Sequence, residues 1–523
     1  MSGEAAGCST SEGPSAAPDD ASTGLADEVP VLPPAGSRVR PLIRPSLPPL
    51  AWVVVALWSG IGVAEATLWR AGPGGSGGSV WLLVVGCAVA VVASVVFTRI
   101  RWTTCALLAL GLSAGAALGG VYWTHWNQQV NQVGRAGSRT WVVEVLTDET
   151  PGRFGSSSRA RIVGPVCAGA LVTVEWPEKC VIPLLGREAK VVGSIKTPAA
   201  DQWGRRSFRT GIVGSLSARR VVPQGWSHSV RGAIGPLREW AVARVATVSG
   251  AGGDLLAGVL LGDRRRMTAT PAETDFRTTG LTHLVAVSGS HLVVVAAVAG
   301  WLLMSMGLGL KSRSAGIAAV VGAYVVFSGV QPSAVRAWVM AMAAALAWVG
   351  GRRADGGSTL AVAAAVVLVA SPISAFDLGF RLSVAAVAGL VLLARLGTAW
   401  IEPALPRVVR GVAEPISMTL AATVSTLPII VPTFQMLSLV SPVANILVGP
   451  LVSVVLLAGL VGLAAAAISP AFGALVLGFA GAIGALSVSI AGWLASWPHA
   501  SIPMGFSATL GFVVAFGAIA WLW

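Results

Sequence analysis

An all-α polytopic membrane bundle of about twelve transmembrane helices, carrying one small inserted all-β domain, is the fold class this sequence predicts. Three observations lead there. Hydrophobic residues make up 54% of 523 positions and charged residues only 11%, with a mean hydropathy of +0.75; soluble domains carry about 25% charge, so most of this chain cannot face water. Apolar stretches of about 20 residues recur, the length that crosses a hydrocarbon core of roughly 30 Å. One long segment, 134–222, breaks that pattern with short runs of alternating polarity.

Residues 1–47 are rich in Ser, Ala, Gly, Pro and acid without hydrophobic periodicity, which predicts a disordered cytoplasmic tail. The first apolar run starts near Leu50 and is too long for a signal peptide. Within 48–124 three spans are expected, Pro49–Trp69, Ser79–Thr98 and Thr103–Trp123, with Trp52, Trp69, Trp81, Trp102 and Trp123 near their ends as interfacial aromatics.

The insert 134–222 contains WVVEVL (Trp141–Leu146), LVTVEW (Leu171–Trp176) and AKVVGSI (Ala189–Ile195), separated by Gly and Pro clusters. Such runs predict a small all-β domain of about five strands. It carries 14 Arg and Lys against 7 Asp and Glu, a balance of +7. A Greek-key barrel that binds single-stranded nucleic acid is one form this takes, and a stabilising cap without a ligand is the other. Cys167 and Cys180 both fall in this insert, and a disulfide between them is expected if it lies outside the cytoplasm.

Residues 224–279 read as amphipathic and interfacial helices, with Arg231, Arg238 and Arg244 among apolar residues and GDRRR (Gly262–Arg266) closing a short apolar run. From 280 onward spans are expected at 280–306, 314–331, 332–350, 357–371, 374–398, 408–431, 435–467, 471–497 and 505–523. Pro442 and Pro450 interrupt the 435–467 stretch, which therefore reads as broken or re-entrant.

Cationic loops orient such a bundle. Arg38, Arg40 and Arg44 precede the first span and put the N-terminus inside. Counting spans then places Arg99 and Arg101, Lys311 and Arg313, Arg352 and Arg353, and Arg395, Arg407 and Arg410 inside as well, and the β insert outside. The same rule accounts for the net charge of +13, so charge alone identifies no partner.

Polar groups within spans are costly and mark a cavity, a partner or a pathway. GLTHLVAVSGSHLVVV (Gly280–Val295) brings His283, Ser288, Gly289 and His291 to the start of a span. On an unbroken helix two histidines eight residues apart lie about 80° apart, too far for a tight pair of metal ligands, and no metal or cofactor is expected. In YVVFSGVQPSAVRAWVMA (Tyr324–Ala341), Gln331 and Pro332 make a turn and Arg336 sits one turn into the next helix, placed to snorkel or to meet phosphate. Asp377 and Arg381 stand at i and i+4 in DLGFRLS (Asp377–Ser383), where they can neutralise each other. Asn445 lies in the proline-rich stretch Pro428–Pro450. No phosphate-binding P-loop and no nucleophile with a matching base is evident.

These residues resemble the ComEC competence family. The carrying motifs are LLGDR (Leu260–Arg264), GLTHLVAVSGSH, SGVQPSAVRA (Ser328–Ala337), DLGFRLS and the proline-rich stretch with Phe434 and Asn445, in the family's order. The resemblance implies a DNA-internalisation channel in the inner membrane, with residues 280–523 as the channel domain, the β insert as an OB-like extracytoplasmic domain, and membrane lipid around it. It further implies a possible homo-oligomer that receives single-stranded DNA from an extracellular receptor while a cytoplasmic helicase-like motor pulls. The translocation pathway would then be lined by His283, Ser288, Gly289, His291, Gln331, Pro332, Arg336, Asp377, Arg381 and Asn445. Ser290 stands where the family commonly has a bulky apolar residue, and Arg381 where it commonly has Gln. Longer members continue into a metallo-β-lactamase-like domain; none follows Trp523 here, so no nuclease activity is expected. A secondary transporter of a small solute would share the buried charges but not explain a basic insert, and a membrane-anchored nucleic-acid-binding protein would explain only the insert.

Overall fold

The computed structural model describes residues 49–71, 102–152, 155–177, 180–199, 201–268, 270–285, 287–349, 356–505 and 511. Helix α1 (Pro49–Ala71) crosses helix α2 (Trp102–Ala136) where Gly111, Gly115 and Gly119 recur every four residues on α2. A Cβ on Gly111 would stand 2.6 Å from the Val53 carbonyl oxygen, and one on Gly119 2.9 Å from the Ala64 Cβ. Small residues at this spacing let two membrane helices approach backbone to backbone. The expected tail 1–47, the span 79–98, nearly all of 505–523, and Arg99, Arg101, Arg352 and Arg353 lie outside the described residues.

Helix α2 does not stop at Trp123. It continues as a polar helix to Ala136, burying Trp126 and Val133 against the insert. There the chain forms β1 (Arg139–Val145), β2 (Thr150–Gly152), β3 (Gly155–Ile162), β4 (Leu171–Trp176), β5 (Arg187–Lys196) and β6 (Ile212–Trp226). β1 pairs antiparallel with both β3 and β5, β3 with β4, and β5 with β6, while β4 and β6 run parallel. The sheet therefore closes on itself, and the sixth strand beyond the expected five is the short arm β2 on β3. Its core is Trp141, Val143, Val172, Val174, Val191 and Leu216, with buried Trp176 Nε1–H donating to Ser158 Oγ at 2.8 Å. The expected Cys167–Cys180 disulfide is not formed. Both thiols are free: Cys167 is buried in the β-domain core in a left-handed turn (φ 62°), while Cys180 is half-buried in the loop after β4.

Helix α3 (Gln202–Thr210) lies between β5 and β6, capped by Asp201, which accepts the Gly204 N–H at 2.8 Å. Phe208 on α3 is 1% exposed, with its ring 5.0 Å from that of Trp123, 5.3 Å from Tyr122 and 5.4 Å from Trp126. On the same helix Arg205 and Arg209 grip Glu65 of α1, Nε to Oε1 at 2.7 and 3.1 Å. One amphipathic helix thus docks the β domain onto the first two described helices.

The next segment holds α4 (Val230–Val245), α5 (Gly250–Leu261) and α6 (Pro271–Thr278). The interfacial reading of this region fails for α5, which is buried from Leu255 to Leu261. It wedges between α13 (Ser441–Ile468) and α14 (Pro470–Ala495): a Cβ on Gly252 would stand 2.6 Å from the Ala485 nitrogen, and one on Gly459 2.9 Å from Leu256. The one charge on α5, Asp254, pairs with Arg266 Nε at 2.9 Å, and its remaining side chains are apolar and pack into that groove.

The remaining helices are α7 (Gly289–Ser305), α8 (Leu310–Phe327), α9 (Pro332–Val349), α10 (Gly356–Ala370), α11 (Leu378–Ala404, with a π-helical turn at Leu390–Ala394) and α12 (Ala413–Phe434). Among the described residues seven helices are long and apolar enough to cross a membrane: Leu50–Trp69, Leu107–Ala136, Leu310–Phe327, Leu378–Ala404, Arg407–Phe434, Ser441–Ile468 and Pro470–Ala495. Of the twelve spans expected, α7 and α10 are apolar helices shorter than that measure, and α9 is apolar over Ser333–Ala343. The break expected in 435–467 is absent, because Pro442 sits in the first turn of α13, where no helical N–H is needed, and the helix runs through Pro450.

Burial pushes the Cys167 and Cys180 thiols above their ordinary value. In a variant keeping only these two cysteines, an impermeant maleimide is expected to label Cys180 on intact cells without reductant, faster as pH rises because the thiolate reacts. Cys167 should react only on unfolding. Labelling that requires reductant would restore the disulfide, and labelling that requires lysis would reverse the topology.

Candidate functional site

Helix α5 ends at Gly262, whose φ of 71° suits the left-handed C-cap, and its N–H donates to the Gly258 carbonyl at 3.0 Å. A Cβ there would stand 2.9 Å from both Gln331 Nε2 and the Ser328 carbonyl oxygen, so the LLGDR and SGVQPSA segments meet at that glycine. Tyr324 Oη–H donates to the Val259 carbonyl at 3.1 Å, from α8 to α5. Ser333 Oγ–H on α9 donates to the Val287 carbonyl at 2.8 Å, and a Cβ on Gly289 would lie 3.5 Å from the Ala337 Cβ. Segments far apart in sequence are thus drawn around the end of one buried helix.

Two ion pairs frame this point. Asp263, 2% exposed, accepts from the Arg265 backbone N–H at 3.1 Å and from its Nε and Nη2 at 2.9 and 2.8 Å. Burial alone would raise the Asp263 carboxyl, but the Arg265 hydrogen bonds and charge outweigh it and hold it below the usual carboxylate value. Arg238 of α4, 4% exposed, reaches Asp148 in the β1–β2 loop at 3.1 Å and the Leu261 carbonyl at 3.3 Å. The β domain is therefore tied to the end of α5 as well as to α1.

The expected pathway residues divide. His283 lies on a 3-10 turn (Thr282–Leu284), exposed, with Nδ1–H donating to the Gly280 carbonyl at 3.1 Å. The chain breaks before Gly289, so the two histidines share no helix and the 80° relation does not apply. His291, 1% exposed, accepts the Ser288 N–H on Nδ1 at 3.1 Å, which assigns the proton of a neutral ring to Nε2, a buried atom with no partner. Ser288 caps α7, and its hydroxyl meets Ser290 Oγ at 2.7 Å.

Arg336 is 8% exposed, with Nη1 3.4 Å from Asp377 Oδ2 and its guanidinium 5.9 Å from the Phe380 ring centre. The expected Asp377–Arg381 pairing is replaced. Asp377 is the extended N-cap of α11, its carboxylate accepting the Phe380 N–H at 2.7 Å, so it leaves the helical face that Arg381 occupies. Arg381 is exposed. Gln331 stands at the Gly262 contact, and Pro332 opens α9. Asn445 turns back into its own helix, donating from Nδ2 to the Ser441 carbonyl at 2.9 Å, and Ser441 in turn lies beneath Gly280. Ser288, Gly289, His291, Gln331, Pro332, Arg336 and Asp377 gather on the α7–α9–α11 ends, while Arg381 and Asn445 do not join them. Asp148, Arg238 and Ser333 were missed. Arg238 carried a signal, an arginine spaced among apolar residues of α4.

A profile of the Competence protein family matches residues 259–523. The chain is 29% identical to the uncharacterized protein YcaI of Escherichia coli (strain K12) over 211 residues, 38% of this chain and 27% of that protein. It is 26% identical to ComE operon protein 3 of Bacillus subtilis (strain 168) over 207 residues, 39% of this chain and 25% of that protein. The matched region is about a quarter of the length of these curated relatives. No solved structure matches the chain.

Asp263→Ala strips Arg265 of its buried partner and is expected to cost about 3 kcal/mol, read as a lower thermal midpoint in detergent. Adding Arg265→Leu should recover part of the loss, because the stranded charge is removed. A single variant as stable as the parent would show that this pair does not hold the turn.

Proposed function

The chain belongs to the ComEC competence protein family, and on that premise we propose that it is the channel through which single-stranded DNA crosses the cytoplasmic membrane during natural transformation. The observation that carries this reading is the convergence of the LLGDR, SGVQPSA, GLTHLVAVSGSH and DLGFRLS segments around a buried arginine. Arg336 is always charged and only loosely held, by one oxygen of Asp377 at 3.4 Å. A phosphate passing the ends of α7 and α9 can compete for it.

The β domain supports the same reading. Its closed cycle β1–β3–β4–β6–β5, with a single parallel pair, follows the connectivity of an OB-like barrel, a form that binds single strands on a basic face. In this role it lies outside the cytoplasm, takes the strand from an extracellular receptor, and passes it to the bundle beneath. A cytoplasmic helicase-like motor then supplies the pull, and copies of the chain assemble around the route in the inner membrane.

Arg336→Ala and Gly289→Leu are expected to abolish transformation, by more than a hundredfold in transformant frequency, while the protein stays inserted at normal abundance. The first removes the charge, and the second drives a side chain toward Ala337 where the α7 and α9 backbones approach. Binding of DNA to the cell exterior should persist. If both variants transform normally at normal abundance, these are packing residues and the route lies elsewhere.

A further inference from the structure

A cavity of about 500 Å³ opens at the seam between the β domain and the bundle. Trp58 of α1, Arg209 of α3, Phe376, Arg381, Val384 and Ile429 line it, so its walls come from the β domain and from three spans. Arg205 and Arg209 share one carboxylate, Glu65, and among the described residues Arg381 has no carboxylate within ion-pair reach. Two guanidiniums, Arg209 and Arg381, therefore face the cavity, and only Arg209 has a carboxylate in ion-pair contact. The aromatic side is fixed: Trp58 Nε1–H donates to the Ala375 carbonyl at 3.0 Å, and the Arg209 guanidinium lies 5.5 Å from the Phe376 ring centre.

An unpaired guanidinium in the first turn of a membrane helix calls for an anion, and its planar fork suits phosphate. Arginines set among aromatic walls are how proteins hold single strands without reading their sequence, and the volume lies within the range of about 300–1,000 Å³ typical of ligand sites. We propose that this cavity seats a backbone phosphodiester of the incoming single strand as it leaves the β domain for the bundle, with Arg381 and Arg209 as its cationic wall. The proposal rests on the DNA-uptake reading above. Position 381 is then a contact that this chain makes with charge, separate from the Arg336–Asp377 pair.

The test uses the full chain in phosphatidylcholine nanodiscs with a fluorescent oligothymidylate, titrated across salt. Arg381→Ala should weaken binding about fivefold at low salt and make the slope of log K against log salt shallower by about 0.7, the share of one phosphate contact on a single strand. Arg381→Lys should restore the slope, and Ala385→Phe, which fills the cavity without touching charge, should weaken binding as well. If the parent protein binds and Arg381→Ala matches it in affinity and slope, the site is overturned while the DNA-uptake reading stands. If the parent binds no oligonucleotide at any salt, the premise falls and takes the site with it. If Arg381→Ala instead sheds a co-purified anionic phospholipid, detected by mass spectrometry, with oligonucleotide binding unchanged, the cavity is a lipid site and the proposal is wrong.

Discussion

Glu65 is a carboxylate on the first membrane helix with 3% of its surface exposed, and its partners Arg205 and Arg209 come from 140 and 144 positions further along the chain. A charge in apolar surroundings must find an opposite charge or stay neutral. That constraint positions the β domain: α3 brings two guanidiniums to Glu65 and places Phe208 among Trp123, Trp126 and Tyr122. The same constraint acts at Arg238 with Asp148, at Arg265 with Asp263, and at Arg336 with Asp377. Each pair is weak evidence for stability, since desolvation offsets much of its attraction. The three that join separate elements, at Glu65, Arg238 and Arg336, fix register, because a slip of one residue strands a buried charge.

These pairs make a continuous path of contacts. It starts at the β1–β2 loop, passes through Arg238 to the end of α5, crosses Gly262 to Gln331, and reaches Arg336 one turn into α9. Helix α5 is too buried to move independently, so the β domain and the α7–α9 ends are held to a common reference. In the proposed role, that reference keeps the exit of the β domain aligned with the entrance of the bundle. His291 Nε2 and Arg336 Nε at the same ends are buried polar atoms without hydrogen-bond partners.

Much of the bundle was legible, because a span announces itself by length and hydropathy alone. The strands at 141–146, 171–176 and 189–195 were legible from alternation. β3 was not, since GSSSRARI buries Ser158, Ala160 and Ile162 on one face and two of these three are small or polar. Helix α3 was hidden by its composition: QWGRRSFRT carries one apolar anchor, Phe208, and its arginines find their meaning only against Glu65. The site was legible as a set of segments but not as pairings. Asp377 and Arg381 satisfy the i, i+4 rule on paper, yet Asp377 lies outside the helix as its cap, a distinction of backbone angle that spacing does not carry. The burial of α5 was missed for a related reason. Twelve residues are too short to read as a span, and only the groove between α13 and α14 reveals where they go.

In the proposed role a strand passes the start of α7, and photocrosslinking there reports that passage. A benzophenone amino acid placed at Ser290, exposed at that helix start, can be compared with one at Val461, exposed on the outer surface of α13. With labelled DNA stalled during uptake, adducts are expected at position 290 and none at 461. Adducts at neither position while uptake proceeds, or equal adducts at both, would contradict the proposed role.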